Sequence, residues 1–256
     1  MSASFVPRPA SRAYGALCVA ALLSCGCGAR PARPGDLPSG AALLERAVSQ
    51  RRRVGPLVAT FNARIKRSDA WFAATSLTGV LAVQPPDHLR VRLFLPAGPT
   101  AQDLTVAGDR YRLLLPLEGR EEQGAACSPV DSGCDTANPG LLLAWLFTHE
   151  PSCADDDCTV ARYRDRYEVS APLAAGQLLV TTVTVAAGDA TMIAEEILRD
   201  GHPDIRIEYS DHRLVAGVPT PYRIEFSDER NGVRIALGIN TYRPSPPLPA
   251  TTFAID

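Results

Sequence analysis

From Val54 onward apolar and polar residues alternate one for one, and the alternation restarts after every turn signal. Leu57, Ala59, Phe61, Ala63 and Ile65 share one parity against Val58, Thr60, Asn62, Arg64 and Lys66. Leu77, Gly79, Leu81 and Val83 follow, then Leu89, Val91, Leu93 and Leu95 against His88, Arg90, Arg92 and Phe94, then Leu104 with Val106, and Tyr111, Leu113, Leu115 and Leu117. Such a period buries one face of a strand and wets the other. The breaks at Gln84-Pro85-Pro86-Asp87, Pro96-Ala97-Gly98-Pro99 and Ala107-Gly108-Asp109 fall at the cadence of an antiparallel meander. Strands resume over Arg162 to Ser170, Gln177 to Ala186, Ala194 to Arg199, Asp204 to Tyr209, Pro221 to Asp228 and Val233 to Asn240, with hairpin signals at Ala187-Gly188-Asp189, Asp200-Gly201 and Asn231-Gly232. Ten or eleven strands are expected, too many one-sided strands for a flat sheet, so the sheet must curl or close over its apolar face.

Two segments carry the helical period instead. Leu43, Leu44, Ala47 and Val48 stand at helix spacing behind a Ser39 cap, and the helix ends in Arg51-Arg52-Arg53, a solvated end or a contact for anionic headgroups. Leu141 to Phe147 are consecutive apolar residues behind Pro139, which predicts a short helix buried on more than one side. The inward set is rich in Leu, Ile, Val and Ala and poor in aromatics, so a cavity under this helix is expected, a solid core being the alternative. Its lining candidates are Phe61, Ile65, Leu81, Val91, Leu93, Leu113, Leu115, Leu142, Trp145, Leu146, Ile207, Ile224, Phe226, Ile235 and Leu237.

The N-terminus changes the picture of where the chain works. Arg8 and Arg12 precede a mostly apolar run from Ala13 to Leu23, the layout of a secretory signal, too short to span a bilayer. Leu22-Leu23-Ser24-Cys25 resembles a lipobox, which makes Cys25 the lipid-attachment residue after removal of residues 1–24; Cys27 is the rival, with Ser24 where the motif wants Leu. Residues 25–39 read as an Arg/Pro-rich tether and 40–256 as one domain with a cysteine-containing insertion at about 120–160. Gly26 is not the Asp associated with inner-membrane retention, so an envelope protein anchored at the outer membrane and facing the periplasm is expected. Two acyl chains hold such an anchor almost permanently.

Without the signal, 24 basic residues face 28 acidic ones, which does not point to nucleic acid. Cys127, Cys134, Cys153 and Cys158 suit disulfides in an oxidising compartment, with local pairs favoured and crossed pairs open. Neither pair has CxxC spacing or an enclosed histidine, so no metal is expected; the acidic run Asp155 to Asp157 lacks the alternating oxygen ligands of a calcium loop. No catalytic motif surrounds His88, His149, His202 or His212, and Glu195 and Glu196 are expected to face water. No enzyme activity and no cofactor are therefore expected.

The lipobox, the amphipathic helix, the hairpins through LRVRLFLPAGPTAQDLTVAGDRYRLLLP, the mid-chain helix, the further strands and the proline-rich end together resemble the LolA/LolB superfamily of lipoprotein carriers and receptors, over about residues 40–256. The resemblance implies an incomplete β-barrel with a helical lid and a cavity for acyl chains of lipoproteins or lipids, in a monomer served by a periplasmic carrier protein. The cysteine loops between Cys127 and Cys158 depart from the family pattern, and Phe94 to Pro99 reads as an ordinary turn, with the exposed apolar loop of receptor-type members as the alternative. The alternative function is a lipid-anchored sensor or assembly factor that binds a protein partner.

Overall fold

A computed structural model of the chain describes residues 37–68, 75–96, 98–126, 138–153, 157–172 and 179–255. Cys25, Cys27, Cys127, Cys134 and Asp155 lie outside these residues.

Among the described residues thirteen antiparallel strands form one sheet that is not closed into a barrel, in the order β6-β5-β4-β3-β2-β1-β13-β12-β11-β10-β9-β8-β7. The first half comprises β1 (Leu57–Arg67), β2 (Thr75–Gln84), β3 (His88–Phe94), β4 (Thr100–Ala107), β5 (Arg110–Leu115) and β6 (Arg120–Ala125). The second comprises β7 (Thr159–Arg162), β8 (Arg166–Pro172), β9 (Leu179–Ala186), β10 (Met192–Arg199), β11 (His202–Val215), β12 (Val218–Asp228) and β13 (Val233–Pro244). Each half is a hairpin meander, and the two join where β1 pairs with β13. Two hairpins turn on paired positive φ angles, Asp200 at 53° with Gly201 at 77°, and Ala216 at 50° with Gly217 at 79°, the twist that tight antiparallel turns require.

The sheet holds two strands beyond the eleven segments that the alternation marks, and they are its two edges. β6, REEQGA, and β7, TVAR, have no buried side chain, so neither carries an apolar period. Charge along β6, with Arg120 between Glu118 and Glu122 and Arg112 paired to Glu121, also protects that edge from pairing with another chain.

Two helices cover the apolar face. α1 (Gly40–Arg53) starts where the Ser39 hydroxyl accepts from the Ala42 N–H at 3.2 Å, and it packs on β8, β9 and β12 through Leu43, Leu44, Ala47 and Val48. α2 (Pro139–Thr148) starts where the Asn138 side chain accepts from the N–H groups of Gly140 and Leu141 at 2.9 and 3.3 Å, and it packs on β3 and β4. Leu142, Leu143, Ala144, Trp145 and Leu146 are all buried, as an all-apolar helix demands. A disulfide joins Cys153 to Cys158 in the link from α2 to β7, the local pairing, with Cα atoms 6.1 Å apart.

The proline-rich end crosses the other face of the sheet. A 3-10 helix, Ala250–Phe253, packs on β3 and β4, with Phe253 buried and its ring 5.4 Å from that of His88. It covers the outward side chains of β4, and Asp103 is buried there with a bidentate Arg90 at 2.8 and 2.7 Å and Arg92 at 2.9 Å. Burial opposes ionisation of Asp103, but the hydrogen bonds and charges of Arg90 and then Arg92 outweigh it and hold the carboxyl below its ordinary range. A lowered folded-state value means stability that is present above the ordinary carboxylate range and lost as pH falls through the folded value. Asp103→Asn is expected to cost about 2 kcal/mol at pH 7 and to narrow its gap in melting temperature from the parent protein as pH falls below about 4; a pH-independent gap would refute this account.

Candidate functional site

A cavity of about 110 Å³ opens where the C-terminal ends of α1 and α2 meet the sheet. Its apolar wall comes from Val54, Leu57, Val83, Leu146, Phe147, Met192, Val218 and Ile224, and its polar groups from Gln50, Arg51, Arg52, Glu150, Tyr209, His212 and Tyr242. The strand period aims Tyr209 inward with Ile205 and Ile207, and Ile224 is its cross-strand partner on β12. Asp211, with φ of 53°, then breaks the pleat, and His212 also lines the cavity, its Nε2 3.2 Å from the Met192 carbonyl oxygen.

The end of α2 is held by charged and polar contacts. Arg51 donates to the Leu146 and His149 carbonyls at 3.3 and 3.2 Å, meeting acceptors that a helix C-terminus leaves open. Arg52 forms an ion pair with Glu150. His149 stacks on Trp145, ring centroids 4.5 Å apart, and its Nε2 lies 2.9 Å from Glu195 Oε1. Glu195 is 1% exposed, and its Oε2 has no partner among the described residues. Glu195 thus does not face water as expected: it shares the parity of Ile197, and that parity points inward on β10. The basic run at the end of α1 is likewise more than a solvated helix end, since Arg51 and Arg52 tie the two helices together.

Burial pushes the Tyr209 hydroxyl well above the ordinary tyrosine range, the Glu195 charge adding to the effect and Arg51 opposing it. Tyr242 is raised by burial too, and its hydroxyl donates to the Pro221 carbonyl at 3.0 Å.

Of the residues assigned to a cavity from sequence, Leu146 and Ile224 line this one. Phe61, Ile65, Leu81, Val91, Leu93, Leu113, Leu115, Leu142, Trp145, Ile207, Phe226, Ile235 and Leu237 belong to one continuous packed core. Against that core α2 packs on β3 and β4, with Trp145 edge-on to Phe226 at 6.5 Å. Strand parity distinguishes inward from outward but not filled from open, so Met192, Tyr209, His212 and Arg51 could not be assigned to a cavity from it. In the Phe94 to Pro99 segment the Gly98 N–H donates to the Leu95 carbonyl at 3.0 Å and the Leu95 N–H to the Pro99 carbonyl at 3.3 Å; Ala97 lies outside the described residues.

The sequence matches no protein-family model and no curated protein. Its fold is that of LolA superfamily and related structures. A LolA superfamily protein from Nitrosomonas europaea superposes with a TM-score of 0.59 at 12% identity, over 86% of this chain and 99% of the other. A putative outer membrane lipoprotein-sorting protein domain from Vibrio parahaemolyticus gives 0.56 at 12% identity, over 82% and 95%. A DUF1329 family protein from Desulfovibrio piger gives 0.60 at 12% identity, over 85% and 98%. The resemblance read from the sequence holds at the level of the fold.

Proposed function

We propose that this protein binds acyl chains of lipoproteins or lipids beneath α2, as an envelope protein anchored through Cys25 and acting in lipid or lipoprotein transfer. The observation that carries the reading is the apolar cavity between two helices and an open thirteen-stranded sheet, on a fold shared with an outer membrane lipoprotein-sorting domain. No covalent chemistry is required. The cavity is below the ~300 Å³ of ordinary ligand pockets, so a whole chain enters only as α2 moves. Uncovering Leu142, Leu143, Trp145 and Leu146 costs on the order of 8 kcal/mol at about 2 kcal/mol each. A sixteen-carbon chain gains ~12 kcal/mol on leaving water, enough to displace the helix. This reading keeps the division of the chain into a signal over 1–24, a lipidated tether over 25–39 and one binding domain over 40–256.

Native mass spectrometry with lipid extraction tests this. Stoichiometric acyl ligand is expected on protein purified from an envelope fraction and absent from Met192→Trp, which fills the cavity without introducing a charge. A ligand-free mass together with failure to take up a fluorescent fatty acid would refute the proposal. The densely filled interior favours a second reading, an anchored module that binds a protein partner, and that result would leave it standing.

A further inference from the structure

Three polar side-chain atoms at α2 are buried without a hydrogen-bond partner among the described residues: Trp145 Nε1 on the helix, Gln102 Oε1 of β4 and Glu195 Oε2 of β10. Gln102 Oε1 lies at the start of the helix, 3.0 Å from where a Cβ on Gly140 would stand. Glu195 lies at its end, where His149 stacks on Trp145 and meets Glu195 Oε1 at 2.9 Å. Trp145 is 7% exposed and Glu195 1%. A buried donor or acceptor left unmatched carries its full desolvation cost, and a carboxylate carries more than a neutral group. The helix itself is well held: Asn138 accepts from its first N–H groups, the Thr148 hydroxyl donates to the Ala144 carbonyl at 2.8 Å, and Arg51 donates to the carbonyls of Leu146 and His149. The mismatch therefore lies between the helix and its seat on the sheet, and not within the helix.

We infer that these three atoms hold α2 poised to leave its seat. Packing of Leu142, Leu143 and Leu146 favours the seated position, and the desolvation of Trp145 Nε1, Gln102 Oε1 and Glu195 Oε2 opposes it. When the helix lifts, all three reach water and that cost ends, so the seated state is less stable than its apolar contacts alone would make it, and α2 opens before the sheet unfolds. The inference deepens the acyl-binding proposal: for what the opening admits it rests on that reading, whereas the opening itself needs no ligand.

Amide hydrogen exchange of the full ligand-free chain tests this, because a ten-residue helix off its seat does not hold its own hydrogen bonds in water. In the parent protein, exchange over residues 139–148 of α2 is expected to run faster than over 233–244 of β13. Glu195→Met removes the unmatched carboxylate, and its partner His149, 19% exposed, turns to solvent; exchange of α2 is then expected to slow about tenfold. Should Glu195→Met fail to fold, Gln102→Leu removes the acceptor at the other end of the helix and is expected to act in the same direction. Exchange of α2 no faster than that of β13 in the parent, or unchanged or faster in the variant, would overturn the inference. Failure of the parent chain to take up a fluorescent fatty acid would remove the acyl-binding reading and leave the exchange result to decide this inference by itself.

Discussion

His149→Ala is expected to destabilise the protein by about 3 kcal/mol, because it strips a fully buried carboxyl of its partner. Glu195 is 1% exposed, it reaches only His149 by hydrogen bond among the described residues, and its second oxygen is already unsatisfied. The stacking of the imidazole on Trp145 is lost as well. For a domain of this size the change corresponds to roughly a 10 °C fall in melting temperature. The double variant His149→Ala with Glu195→Met should recover much of the loss, since an apolar replacement of a buried polar pair is often neutral. A double variant no more stable than the single one would mean that the carboxyl is not the source of the cost.

Phe61→Ala is expected to cost about 3–4 kcal/mol, and Gly79→Leu about 1–3 kcal/mol, for one shared reason. The two residues are cross-strand partners on β1 and β2, and the Phe61 ring lies over the bare backbone of Gly79. A Cβ at position 79 would stand 2.2 Å from Phe61 Cζ, and the ring is 1% exposed with nowhere to go. Combining the substitutions puts a side chain where the ring was, so the double variant should lose less than the sum of the singles. Strict additivity in chemical unfolding would show that the ring and the glycine are not coupled.

This contact shows how far the sequence could be read. The alternation placed Phe61 and Gly79 on the inward face, and a glycine at an inward strand position signals a close approach, but which side chain fills the gap is set by register across the pair. β6 and β7 were illegible for the opposite reason: an edge strand exposed on both faces carries no apolar period, and REEQGA reads as a polar loop. Glu195 was legible through its shared parity with Ile197, yet its charge argues for the surface when the histidine that receives it lies 46 positions earlier. The cavity was the least legible feature. It forms where Tyr209 and His212 of β11, Arg51 of α1 and the end of α2 converge from three separate segments, whereas the most apolar positions of the sheet are packed into the continuous core.

The junction of β1 with β13 carries a further consequence for how the chain reaches its native state. Every other neighbouring pair in the sheet consists of consecutive strands, so each meander zips from hairpins with small loop-closure entropy. Pairing Leu57 with Pro244 and Arg67 with Val233 instead joins opposite ends of the domain, and it comes last by the same reasoning. A chain in which that pair has not closed presents β1 and β13 as unpaired strands, each with a row of inward apolar side chains, and open edges of that kind are what favours pairing with another chain.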